Sequence, residues 1–354
     1  MKIKPTTKFA ILALSLVLVA CAGGGSEEAG CPAIDGREIN VVATTPMIGE
    51  FVSQVGGENI NLTVLMPPEA NPHTYEPAPQ DAGTIAEADL VFYTGLLYEP
   101  AALVKLLENS ACSTDILSEV GESVFPIEFK EGGHDDHDDH DDHDDEEGHD
   151  DEEGHDDHDD EEGHDDEEGH DDHEGHNHGA YDPHFWFDPS RVAYAAEYIE
   201  SRLIQFDPEN ESSYKSSADS FVSELNDLTK QVSELISTVP SQNRKLITTH
   251  ESLGYLEAKF GLEVLSTIIP SLNSANEISP SDLAGVIDVI EDNNVKVIFI
   301  ESEAPSVYSE TIVAETGIKS VTGLYVETLK PGQSYSEFLI SNVKLITENL
   351  QDTD

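Results

Sequence analysis

The chain has 354 residues, with 73 acidic against 17 basic side chains and a formal net charge of −56. That length suits two domains plus extras rather than one small domain. Binding nucleic acid needs clustered Lys and Arg, so the charge argues against that partner and favours cations.

The first twenty residues read as a targeting segment. Lys2, Lys4 and Lys8 precede an apolar run from Phe9 to Ala20, which is too short to span a membrane. It ends in Leu18-Val19-Ala20-Cys21, which resembles a bacterial lipoprotein signal with Cys21 as the lipidated residue. A plain secretory signal with an incidental cysteine is the alternative. Residues 21–36 would then be a flexible tether rich in Gly, Ser and Glu. The other two cysteines, Cys31 and Cys112, form a disulfide in an exported protein or remain two free thiols; their spacing does not decide.

Strand-like and helix-like segments then alternate. Ile39–Thr44, Leu62–Met66 and Asp89–Thr94 read as strands, and Pro46–Val55, Pro79–Ala88 and Glu99–Glu108 as helices. After Asp188, which can cap with Pro189 in the first turn, a helix runs to about Gln205. A long helix follows Asp207-Pro208. Its apolar residues Tyr214, Ala218, Phe221, Leu225, Leu228, Val232, Leu235 and Val239 step by three and four, and Pro240 ends it. Further on, Lys245–Thr249, Leu262–Ile268, Val295–Ile300 and Val321–Val326 read as strands. Ser252–Phe260, Pro280–Glu291, Val307–Glu315 and Ser334–Leu350 read as helices. The predicted class is α/β: two lobes, 37–206 and 241–354, each a mainly parallel sheet flanked by helices, joined by one long rigid helix over 207–240. Such a helix should limit hinge closure between the lobes.

Histidine usage carries the functional signal. Twelve of the fifteen fall in one acidic tract: His134, His137, His140, His143, His149, His155, His158, His164, His170, His173, His176 and His178. Residues 131–178 hold 28 of the 73 acidic residues and no Lys or Arg. With nothing apolar to bury, the 131–180 loop is expected to lack fixed structure without ligand. A linker needing only solubility has no reason to repeat histidine every two to six residues, so the tract reads as an auxiliary metal collector, weaker than a fixed site.

The remaining three, His73, His184 and His250, stand alone, each at or near the carboxyl end of a strand or on the loop after it, where α/β folds place ligands. Imidazole is a common zinc ligand, and convergence of all three in a cleft between lobes would make a fixed site.

The motifs around them are Asn-Pro-His-Thr-Tyr-Glu-Pro at 71–77, Asp-Pro-His-Phe-Trp-Phe-Asp-Pro at 182–189 and Thr-His-Glu-Ser-Leu-Gly-Tyr at 249–255. With the long helix, they resemble the zinc and manganese solute-binding lipoproteins of bacterial ABC importers, from about Ile39 to Leu350 apart from the tract. The resemblance implies a periplasmic-binding-protein-like fold of the helical-backbone type. It implies metal ligation by His73, His184 and His250, with a carboxylate as fourth ligand. That carboxylate matches Glu327, while Glu301 and Glu303 also follow a strand end and stay open. It also implies a monomer, anchored to a membrane through Cys21, that delivers its ion to an ABC permease and is not an enzyme. Manganese members tend to carry a carboxylate where His250 stands, which moves the expectation to Zn²⁺ over Mn²⁺.

Three imidazoles and one carboxylate independently suit tetrahedral Zn²⁺, although affinity alone does not exclude Cu²⁺ or Ni²⁺. A zinc hydrolase is the rival from another class. Gly254 breaks the His-Glu-x-x-His pattern that would begin at His250, and a fourth protein ligand closes the position catalysis needs. A surface metal store or adhesin built on the tract is the third reading. Proton competition at an ordinary imidazole pKa of about 6.5 predicts affinity falling steeply below roughly pH 6.

Overall fold

Apolar runs, most fully buried in the central strands, condense into two four-stranded sheets in which all paired strands are parallel. The computed structural model describes residues 31, 34, 36–129, 181–302 and 307–351. The expectations for the leader, Cys21, the twelve tract histidines and Glu303 lie outside the described residues.

The first sheet holds β1 (Ile39–Ala43), β2 (Ile60–Val64), β3 (Leu90–Tyr93) and β4 (Leu117–Glu119) in the order β2-β1-β3-β4. Ile39 pairs with Ile60, and Val41 with both Leu62 and Leu90. Its helices are α1 (Pro46–Gly56), α2 (Pro79–Ala86) and α3 (Ala101–Ser110), followed after the tract by α4 (Pro189–Phe206). Thr45 caps α1 by accepting from the Ile48 amide, and Asp188 caps α4 by accepting from Ser190. Both helices open with proline, whose missing N–H costs nothing in a first turn.

The second sheet repeats the arrangement with β5 (Lys245–His250), β6 (Glu263–Ile269), β7 (Val297–Glu301) and β8 (Lys319–Leu324), ordered β6-β5-β7-β8. Its helices are α6 (Gly254–Phe260), α7 (Pro280–Asp292), α8 (Val307–Thr316) and α9 (Tyr335–Gln351). In each sheet the chain reverses its winding between the two central strands, β1 and β3 or β5 and β7. Such a switch point opens a crevice at the strands' carboxyl ends.

Between the sheets runs α5 (Glu211–Ser237), 27 residues and about 40 Å long at 1.5 Å per residue. It packs on α4 and α1 from one half and on α9 from the other. Tyr214, Ala218, Phe221, Leu225, Leu228, Val232 and Ile236 form its buried stripe. The expected Leu235 is only half-buried, because the step of four from Val232 brings Ile236 innermost. One apolar cluster spans both halves: Phe51 meets Phe185, Phe221 and Tyr335, and Phe187 meets Phe338. Among the described residues no helix is long and apolar enough to cross a membrane.

Three differences from the sequence reading have physical causes. Strand β2 starts two residues early, because Ile60 and Asn61 pair with Ile39 and Asn40 despite the polar asparagine. Strand β8 starts at Lys319, and Val326 is buried beyond the ladder rather than in it. The three-residue β4 is too short to show a hydrophobic period. Cys31 and Cys112 are bonded, with Cα atoms 5.1 Å apart.

Candidate metal centre

Each solitary histidine is delivered by a distinct local device. Asn71 accepts the His73 amide at 2.9 Å and starts the short turn Pro72–Thr74 after β2. Its amide nitrogen donates to Ser274 Oγ at 3.0 Å, tying this loop to the other half. Asp182 accepts the His184 amide at 2.8 Å, so the Asp-Pro-His turn fixes its own third residue. His250 is the last residue of β5, at the switch point of the second sheet.

Together with Glu327, which follows β8, these histidines offer four ligand atoms that all lie within 4.8 Å of one another. His184, His250 and Glu327 are fully buried. Oε1 of Glu327 stands 3.1 Å from His73 Nε2 and 3.0 Å from His250 Nε2, and Oε2 stands 3.5 Å from His184 Nε2. A tetrahedral ion with bonds of about 2.0–2.1 Å sets its ligand atoms roughly 3.3 Å apart, so the cluster is of coordination size. The Nε2 atoms of His184 and His250 are buried and, apart from their approach to Glu327, have no hydrogen-bonding partner. Leaving two such atoms unsatisfied is costly unless something else takes their lone pairs.

Behind the ligand atoms lies a second layer. Asp182 Oδ1 stands 2.8 Å from His184 Nδ1, and a Glu301 oxygen bonds His250 Nδ1. Glu301 is itself held by the His250 amide at 3.1 Å, by Ser252 Oγ at 3.3 Å and by Thr249 Oγ1, which accepts the Glu301 amide at 3.0 Å. Carboxylates on Nδ1 fix the ring so that Nε2 is the nitrogen offered once its proton is displaced, and make it more basic. Glu301 therefore sits on the far side of the His250 ring from Glu327, not among the converging atoms. The Tyr98 hydroxyl donates to Glu327 Oε2 at 2.9 Å.

The electrostatics follow from this packing. Burial alone would strip His184 of its proton, but hydrogen bonds to Asp182 and Glu327 and their charges reverse that, raising its pKa to about 9. Burial likewise opposes a charged His250, yet Glu301 and Glu327 hold its pKa well above the ordinary imidazole value. Burial would raise Glu327, but His73, His250 and His184 outweigh it and keep the carboxylate well below its usual range. The pocket is thus a buried carboxylate ringed by imidazoles, reached past the half-buried His73. Its mouth is a cleft of about 870 Å³ whose lining includes His73, Tyr98, Pro183, Leu272 and Asn276.

Sequence reasoning placed the four converging residues but gave no role to Asp182 or Tyr98, and it offered Glu301 only as a rival ligand. The position of Asp182 two residues before His184 was a usable turn signal. Nothing in the sequence links Tyr98 to a residue 229 positions away.

The chain is 27% identical over 352 residues to the high-affinity zinc uptake system protein ZnuA of Bacillus subtilis (strain 168), covering 97% of this chain and 96% of the relative. It is 26% identical over 350 residues to the manganese ABC transporter substrate-binding lipoprotein PsaA of Streptococcus anginosus, covering 96% and 97%. The fold matches the periplasmic zinc binding protein TroA from Treponema pallidum with a TM-score of 0.69 at 20% identity, over 88% of this chain and 99% of that one. Residues 41–349 match the family described as ZnuA, zinc-uptake complex component A, periplasmic, and the chain therefore belongs to this family of metal-binding components of ABC importers, which are binding proteins rather than enzymes.

Proposed function

We propose that the protein captures Zn²⁺ between its two sheets, through His73, His184, His250 and Glu327, and hands it to an ABC permease. The carrying observation is the donor set: three imidazoles and one carboxylate of coordination size, with two buried Nε2 atoms that lack any other partner. Borderline Zn²⁺ suits such a set, whereas Mn²⁺ favours more oxygens. Manganese is the second reading, because relatives of similar identity are named for it.

Lipidation at Cys21 would hold the protein, as a monomer, at the outer side of a membrane beside its permease. One acyl chain binds a membrane only marginally, so firm anchoring requires multiple acylation. The tract from His134 to His178 serves as a loose collector, since its many histidines and carboxylates can share an ion in numerous arrangements, each needing chain ordering. Because α5 packs on helices of both halves, release proceeds by local loop movement around the histidines rather than by a large rotation. Crystal forms with and without metal that differed by a large rigid rotation would contradict that.

The deciding experiment is metal analysis of protein purified without a nickel resin, with competitive zinc and manganese titration of the full chain and of a form lacking residues 134–178. One tight zinc equivalent should survive the deletion. Its disappearance would move the function to the tract, and tighter manganese than zinc would establish the second reading. Hydrolytic activity emerging in Glu327→Ala would revive the enzyme reading.

A further inference from the structure

Glu327 does not offer both of its oxygens equally to the histidines. Oε1 faces His73 and His250, while Oε2 accepts the Tyr98 hydroxyl at 2.9 Å. That hydroxyl also lies 3.1 Å from the Glu327 carbonyl oxygen, so it touches one residue of the opposite half at two points. Oε2 stands 3.5 Å from His184 Nε2, close enough to turn onto an ion if released.

Tyr98 has little freedom to move. It is 1% exposed, and its ring packs edge-on against His73, His184 and Trp186 at 5.0, 5.8 and 5.3 Å. The backbone that delivers it is strained: Gly95, Leu96 and Leu97 have φ of 77°, 53° and 61°. Glycine adopts that region freely, but two successive leucines do not. Three anchors hold the loop there. Buried Glu99 accepts the Thr94 and Gly95 amides at 2.7 and 2.9 Å and the Thr44 hydroxyl at 2.7 Å. Glu119 accepts the Leu96 amide at 2.9 Å, and the Tyr98 amide donates to the Gly95 carbonyl at 2.9 Å. Strain maintained by buried Glu99 and half-buried Glu119 beside a binding site points to a geometry the site requires.

We propose that Tyr98 is a specificity-determining positioning residue: by holding Oε2 it makes Glu327 a one-oxygen ligand, keeps the site four-coordinate and so disfavours Mn²⁺ relative to Zn²⁺. A carboxylate free to bind through both oxygens adds a coordination position, and manganese gains from extra oxygens while tetrahedral zinc does not. The inference rests on the four-ligand reading given above and extends it to the choice between ions.

The test compares wild type with Tyr98→Phe, which keeps the ring packing and removes only the hydroxyl. Zinc and manganese affinities are measured by chelator competition on the full chain, with zinc held at one equivalent so that the tight site fills first. X-ray absorption at the zinc edge counts ligands in the same samples. Loss of an outer-layer hydrogen bond typically weakens metal binding about 10–100-fold. The expected result is that loss for zinc with manganese unchanged or tighter, so the zinc-to-manganese preference falls at least about tenfold, and zinc gains a ligand. Equal weakening of both ions, or no change in either, would reduce Tyr98 to a packing residue. Two Glu327 oxygens on zinc in the wild type would overturn the proposal without any variant. A wild type whose one-equivalent zinc is indifferent to His250→Ala would overturn the four-ligand reading itself, a distinct outcome.

Discussion

His184 and His250 differ from His73 in how they are held. The first two are fully buried, and each has a carboxylate on Nδ1, Asp182 or Glu301. His73 has no such partner among the described residues; its loop is set by Asn71, which bonds the backbone amide and Ser274. Two of the converging histidines are therefore fixed from behind by carboxylates, and the third is set by its backbone turn, by Glu327 Oε1 at 3.1 Å and by the Tyr98 ring. On the proposed function, a fixed pair would supply affinity, while a less constrained member at the cleft mouth would let an ion pass.

The contrast can be broken at four levels. Removing a rigid ligand outright, as in His250→Ala, should weaken zinc binding more than about 100-fold, beyond the range for outer-layer changes, and competition titration would read it. Glu301→Gln and Asp182→Asn leave the rings in place but lower their basicity, and each should cost about 10–100-fold in the same assay. A cost below twofold for either would show that the carboxylates do not matter.

The third level is pH. With His184 protonated up to about 9 before metal arrives, zinc must displace that proton throughout the neutral range. Affinity should rise about tenfold per pH unit between 7 and 9 for each proton displaced, well above the threshold near pH 6 expected from an ordinary imidazole. A plateau from pH 7 upward would contradict this. The metal-free protein moves the opposite way. A raised folded pKa contributes stability fully present below the unfolded value of about 6.5 and lost as pH rises through about 9, so its melting temperature should fall across that window. The smallest effect is expected from Asn71→Ala, which frees the His73 loop without touching a ligand atom. Zinc affinity should drop less than tenfold, since no ligand basicity changes, and stopped-flow measurement should show faster dissociation.

Much of this architecture is legible in the sequence because burial imposes a period. The three-and-four stepping from Tyr214 to Val232 gave the long helix, and proline after a capping residue marked the starts of α1 and α4. The histidines stood out because so few lie outside the tract. What stayed hidden depends on folding to bring distant residues together. Glu301 stays open beside Glu327 in the sequence, whereas the fold turns it to the back of His250, and nothing in the sequence marks Tyr98. Local pattern identifies which side chains are unusual, but not which atom of each faces inward.

The apolar cluster shared by both sheets through α5 has a practical consequence. Neither half can melt while the other survives without exposing Phe221 and Leu225, so heat or denaturant should see a single cooperative unit. A metal held as proposed would grip both halves and add to the stability of that whole unit as RT ln(1 + [L]/Kd), about 4 kcal/mol at a thousandfold excess over Kd. An ordinary melting curve thereby becomes a gauge of how full the pocket is.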